Sequence, residues 1–161
     1  MEKRRISFDL LVYDTLEDLS KSEKALMKIA VEARENAYAP YSQFLVGAAV
    51  LLDNSEIVIG NNQENASYPS GLCAERVALF QAGAKYPNVA IHTIAISASS
   101  NIHKVDKPAA PCGNCRQAIA EYEQKQNSPI AILMMGFSGK IFKCESLEDI
   151  LPLAFGSSYL K

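Results

Sequence analysis

The sequence predicts an α/β fold in which a single sheet is sandwiched between helices. Three observations carry that expectation. Ser20-Lys21-Ser22-Glu23 is a capping box, and apolar residues follow it at helical spacing. Phe44 to Leu52 is an apolar run too short for a long helix and bounded by turn residues, as in a buried strand. Beyond it, strand-like and helix-like segments alternate, the arrangement of layered α/β domains.

In chain order, residues 1–19 form an arm whose Ile6 to Tyr13 stretch fits either a strand or an irregular segment. The helix opened at Ser20 places Ala25/Leu26, Ile29/Ala30, Ala33 and Ala37 on one side, and Pro40 should stop it at or just before Ala39. Asp53-Asn54-Ser55 turns the Phe44 strand into a second one, Glu56 to Gly60. Gln63 to Gly71 is a polar loop broken by Pro69 and Gly71. A helix is expected from Cys73 to Ala84, a strand from Ala90 to Ala98, a loop from Asn101 to Pro111 and a helix from Asn114 to Gln124. Ile130 to Met135 and Lys140 to Lys143 read as strands, and Ser146 to Leu151 as a short helix stopped by Pro152. No repeat, low-complexity tract or linker interrupts this run, so residues 20–161 are expected to form one domain behind the arm.

Composition narrows the function classes. At 161 residues, with 48% hydrophobic and 21% charged side chains, the chain can bury a full core without staples. A net charge of −2 argues against binding that rests on the nucleic-acid backbone, and the one basic run, Lys3-Arg4-Arg5, is short and terminal. No stretch has the length of a membrane span, and Asp9, Asp14, Glu17 and Asp18 interrupt any signal-like apolar core. A cytoplasmic location is therefore expected. Thiols stay reduced there, so four cysteines point to metal or chemistry rather than disulfides.

Three of those cysteines form a split constellation: Cys73-Ala74-Glu75, then Pro111-Cys112-Gly113-Asn114-Cys115. Three thiolates suit one zinc ion and leave a tetrahedral position for water, with Glu75 at hand as a proton shuttle. Such a site is built for metal-assisted hydrolysis. Cys112 and Cys115 share one face of a first helical turn, and Cys73 opens another predicted helix. Two helix N-termini would then favour thiolates whose pKa is otherwise about 8.5. Glu75 and Cys73 point nearly opposite ways on an ideal helix, so the arrangement requires a metal lying off the helix end. Three thiolates also overcompensate Zn²⁺. Arg76 and Arg116 are the candidates to balance the excess, Arg76 first.

Two plainer readings stay open on the residues alone. The Cys112–Cys115 pair fits a redox motif, although that leaves Cys73 and Glu75 unused. Cys144 would complete a four-cysteine structural zinc site, although it lacks a partner at knuckle spacing and suits a small buried hydrophobe. His92 and His103 stand in no ligand-like pattern.

The motifs Cys73-Ala74-Glu75-Arg76 and Pro111-Cys112-Gly113-Asn114-Cys115-Arg116-Gln117 together resemble those of the cytidine deaminases, a zinc-deaminase signature. The likeness extends to Tyr38 through Ala49, to Asn62-Gln63-Glu64-Asn65-Ala66 and to Leu151-Pro152-Leu153-Ala154-Phe155. Cysteine at position 73 is similar to the small homotetrameric branch. The resemblance implies a three-layer α/β/α sandwich around a mixed five-stranded sheet, with one Zn²⁺ per subunit on Cys73, Cys112 and Cys115. It implies that Glu75 moves a proton from zinc-bound water to N3 of the pyrimidine and then helps ammonia leave.

By the same resemblance, Phe44 packs against the base and the Ala66 backbone touches it. Asn62 and Glu64 hold ribose hydroxyls, and Phe155 reaches a neighbouring subunit's site. The implied activity is hydrolytic deamination of free cytidine and deoxycytidine in pyrimidine salvage, without nucleic acid or membrane as partner. A deaminase of another aminonucleoside, such as blasticidin S, is the nearest alternative, and a non-catalytic zinc-stabilised module is a further one. Gln63 and Asn114 depart from the aliphatic residue and the alanine common at their positions.

Overall fold

The computed structural model describes residues 1–160. Nine regular elements follow the order β1 (Leu11–Tyr13), α1 (Lys21–Arg34), β2 (Phe44–Leu52), β3 (Ile57–Asn61), α2 (Ala74–Lys85), β4 (Ile91–Ser100), α3 (Gly113–Gln126), β5 (Ala131–Met135) and β6 (Ile141–Cys144). They build one mixed sheet of six strands in the order β1-β6-β5-β4-β2-β3, in which only β4 and β5 run parallel.

Period-two patterning of the strands makes the three layers. Ala49, Ala95, Leu133 and Met135 face α1, where they pack with Leu26, Met27 and Ala30. Their neighbours Ala48, Val50, Ile94, Ile96, Ile132 and Met134 face the other way, toward Ala74, Ala78 and Leu79 of α2 and Ile119 of α3. A sheet buried on both faces therefore needs the near-continuous apolar runs seen in β2 and β5.

The capping box at Ser20 and Glu23 forms as expected. α1 ends at Arg34, earlier than Pro40 requires, because the next N–H groups reach back only three residues. Tyr38 then pairs with the loop after β3: its N–H donates to the Asn62 carbonyl at 2.9 Å, and its own carbonyl accepts the Glu64 N–H at 2.9 Å. The five strands of the expected sheet are joined by a sixth from the arm, Leu11–Tyr13, which lies antiparallel to β6. The expected short helix after β6 is a 3₁₀ turn, Leu147–Ile150, capped by Ser146.

One close contact sets the place of the site. A Cβ on Gly60 would lie 2.5 Å from the Ala74 carbonyl oxygen and 2.5 Å from the Ala78 nitrogen. Glycine there lets the first turn of α2 rest directly on β3. The N-terminus of α2 is thereby held beside the N-terminus of α3.

Candidate active site and metal centre

Cys73 and Cys112 are the N-cap residues of α2 and α3, and Cys115 is the third residue of α3. Their three Sγ atoms all lie within 4.8 Å of one another, and Cys112 and Cys115 are 3.6 Å apart. Tetrahedral zinc with ~2.3 Å bonds to sulfur needs thiolates about 3.8 Å apart, so the donor set fits that ion in type and spacing. Among the described residues this is the one cluster of its kind. Cys144 lies apart, fully buried in the core among the residues facing α3, and does not supply a fourth sulfur.

The electrostatics of the thiols agree with this fit. A hydrogen bond from the Cys115 thiol pulls Cys73 down to about 5 against the burial that raises it, and the Arg76 guanidinium adds to the pull. Cys115, as the donor to Cys73, is pushed up, and its burial raises it further. With no cation between them, three adjacent sulfurs cannot all carry charge. A divalent ion lets them do so.

Glu75 is the second residue of α2 and is 5% exposed. Because Cys73 stands before the helix in extended backbone (φ −73°, ψ 154°), the two side chains are not confined to opposite helix faces. Burial raises the Glu75 carboxyl above its ordinary value, against its own backbone N–H, and the neighbouring Cys73 charge adds to the rise. A carboxyl so placed is more readily protonated than an ordinary one, as suits a group that relays protons.

The two arginines separate. The Arg76 guanidinium faces Cys73 and Cys115, whose negative charge raises its pKa against burial, while its Nε is buried without a partner. Arg116 turns away from the sulfurs: its Nε donates to the Pro111 carbonyl at 2.8 Å and its Nη1 to the Ile150 carbonyl at 2.7 Å.

These groups open into a cavity of about 720 Å³ that Phe44, Asn62, Glu64, Cys73, Glu75, Arg76 and Cys112 help to line. That size suits a small organic molecule. Asn62 accepts the Val46 N–H at 2.8 Å and donates to the Phe44 carbonyl at 2.9 Å, which leaves one amide N–H free of protein partners. Glu64 accepts the Tyr41 N–H at 2.9 Å, the Ser42 N–H at 3.2 Å and the Ser42 hydroxyl. Its burial would raise the carboxyl, but these donors together hold it below the ordinary value.

Ala66 follows in the same loop without lining the cavity, and Phe155 is outside it. The Phe155 ring is exposed and stacks on Tyr159 at 5.6 Å, while its carbonyl accepts a hydrogen bond from Gln117. Other lining groups escaped the sequence reading, above all Tyr41 and Tyr68, whose rings stand 6.0 Å apart. Each adjoins a proline in the sequence, Pro40-Tyr41 and Tyr68-Pro69, a signal of a fixed loop aromatic.

Residues 20–128 match the profile of the cytidine and deoxycytidylate deaminase zinc-binding region. The chain belongs to this family. A cytidine deaminase of Sporosarcina psychrophila is 36% identical over 129 residues, covering 80% of this chain and 88% of the relative. One of Halalkalibacterium halodurans is 46% identical over 96 residues, 60% of this chain and 68% of the relative. The crystal structure of cytidine deaminase from Burkholderia pseudomallei superposes with a TM-score of 0.71 at 36% identity, covering 85% of this chain and all of that one. Membership of a zinc-binding deaminase family and a three-cysteine cluster of matching geometry agree on zinc as the metal. No helix among the described residues is long and apolar enough to cross a membrane.

Proposed function

We propose that the chain is a zinc-dependent aminohydrolase that converts cytidine and deoxycytidine to uridine and deoxyuridine with release of ammonia. One observation carries this reading. The buried Glu75 carboxyl stands beside the three-cysteine cluster in a cavity that is also walled by Phe44, Asn62 and Glu64.

Zinc held by Cys73, Cys112 and Cys115 supplies the acidity that makes water a nucleophile near neutral pH. Glu75 is the general base and acid: it takes a proton from the attacking water and delivers it to N3 of the pyrimidine, then carries the proton of the hydroxyl added at C4 to the amino group, which leaves as ammonia as C4=O forms. Its raised pKa favours the uptake step. Arg76 offsets the surplus charge of three thiolates, a role that its place beside Cys73 and Cys115 supports. Phe44 packs on the base. The free N–H of Asn62 and the carboxylate of Glu64 bind sugar hydroxyls, as their place in the cavity wall favours.

The reading includes a homotetramer in which Phe155 completes a neighbour's pocket; its exposed ring suits that role. It takes residues 1–19 as an arm and residues 20–161 as the deaminase domain, and it sets the enzyme in cytoplasmic pyrimidine salvage. The test is a substrate panel read by ammonia release. Cytidine and deoxycytidine should be turned over well, with blasticidin S and a cytidine-containing oligonucleotide far behind. Preference for blasticidin S would replace the substrate assignment.

A further inference from the structure

We propose that Ser42 is a positioning residue that sets the nucleoside sugar site by orienting the Glu64 carboxylate. The proposal rests on the nucleoside reading above. A carboxylate offers about four acceptor sites. Three on Glu64 are filled by the Tyr41–Ser42 stretch: Oε2 accepts the Tyr41 N–H at 2.9 Å and the Ser42 N–H at 3.2 Å, and Oε1 accepts the Ser42 hydroxyl. One site remains for a sugar hydroxyl. The backbone donors hold Oε2, and the Ser42 hydroxyl is the side-chain donor that holds Oε1 and so fixes the carboxylate plane from its second oxygen.

The hydroxyl is itself aimed from the other side. Its oxygen accepts the Phe44 N–H at 3.0 Å, and Phe44 is held independently by its pairing with Ser100 in β4 and by Asn62 on its carbonyl. The intervening Gln43 adopts left-handed backbone, φ 55°, which turns the chain so that Ser42 and the Phe44 amide meet. Gln43 is pinned there: its N–H donates to the Ala39 carbonyl at 3.1 Å, and its carbonyl accepts the Asn101 N–H at 3.0 Å. Because the one hydroxyl proton of Ser42 is engaged by Glu64, Ser42 acts on a sugar through Glu64 rather than by donating to it.

The test compares Ser42→Ala with the zinc-loaded wild type on cytidine and on 2′,3′-dideoxycytidine, which lacks the 2′- and 3′-hydroxyls. Loss of one charge-assisted hydrogen bond should raise KM for cytidine about tenfold with kcat within about threefold. The kcat/KM for dideoxycytidine should stay within about twofold. Calorimetric binding of uridine should weaken in step with the cytidine KM, and Ser42→Thr should restore it. Should Ser42→Ala not fold, Ser42→Cys, a weaker donor, carries the same comparison with a smaller split. Equal losses on both nucleosides, or none on cytidine, would overturn the proposal. A wild-type chain inert toward cytidine would instead overturn the nucleoside reading on which it stands.

Discussion

The side chain of Asn62 holds the start of β2 from the next strand's exit: its amide donates to the Phe44 carbonyl at 2.9 Å while its Oδ1 accepts the Val46 N–H at 2.8 Å. A residue proposed to touch the sugar is thus also a clamp on the aromatic proposed to touch the base. Asn62→Ala should therefore cost about 1–3 kcal/mol in chemical denaturation as well as raising KM for cytidine. Asn62→Asp should lose comparable stability, because an oxygen then faces the Phe44 carbonyl. A stable Asn62→Ala variant affected only in KM would show that the clamp is dispensable.

Arg76 and Arg116 should part company in mutagenesis. Arg76→Gln removes the cation facing Cys73 and Cys115, and should cut zinc affinity or turnover by about 10–100-fold with little change in melting temperature. Arg116→Ala strips the Pro111 and Ile150 carbonyls of their donor and should chiefly lower stability, by about 1–3 kcal/mol. Zinc content, kcat and thermal unfolding of the two variants check the division.

The four-cysteine alternative has a direct test. Cys144 is buried in the hydrophobic core away from the cluster, so Cys144→Ala should retain one zinc per chain, whereas Cys115→Ala should lose it. Metal analysis after exhaustive dialysis decides between them. Loss of zinc from the Cys144 variant would restore the structural-site reading.

A separate ion pair ties the opening of α1 to β6, with Lys143 Nζ 3.0 Å from Glu23 and 2.9 Å from Glu145. Burial raises Glu23, but hydrogen bonds from Ser20 and Lys143 outweigh it and hold the carboxyl below 4.5. A carboxyl depressed on folding stabilises the fold fully above its unfolded value and loses that contribution as pH falls through the folded value. Wild type should thus exceed Glu23→Gln by on the order of 1 kcal/mol at neutral pH, a gap that closes below pH 4.5. Urea unfolding at pH 7 and at about pH 3 measures it. A gap that widens in acid would reverse the sign assigned here.

What the sequence made legible follows its physics. β2 has the bounds expected for it, Phe44–Leu52, because an apolar run closed by turn residues has few other solutions. The cysteines and Glu75 were legible because metal chemistry demands particular donors at particular spacings. The early end of α1 was not, because it depends on Tyr38 pairing with a loop remote in sequence. Nor was the edge strand Leu11–Tyr13, whose pattern is short and whose partner, β6, comes near the end of the chain. Local spacing favoured Arg76 over Arg116 only weakly. The structure commits Arg116 to the Pro111 and Ile150 carbonyls, a pairing remote in sequence that local spacing does not reveal.

The proposed chemistry requires Glu75 to move the proton in a site whose metal is held by cysteines alone. Glu75→Ala tests it in one preparation, with zinc per chain and ammonia release from cytidine measured side by side. Zinc should stay at the wild-type level while turnover falls by about 10²–10⁴-fold. Turnover near wild type with zinc retained would contradict it.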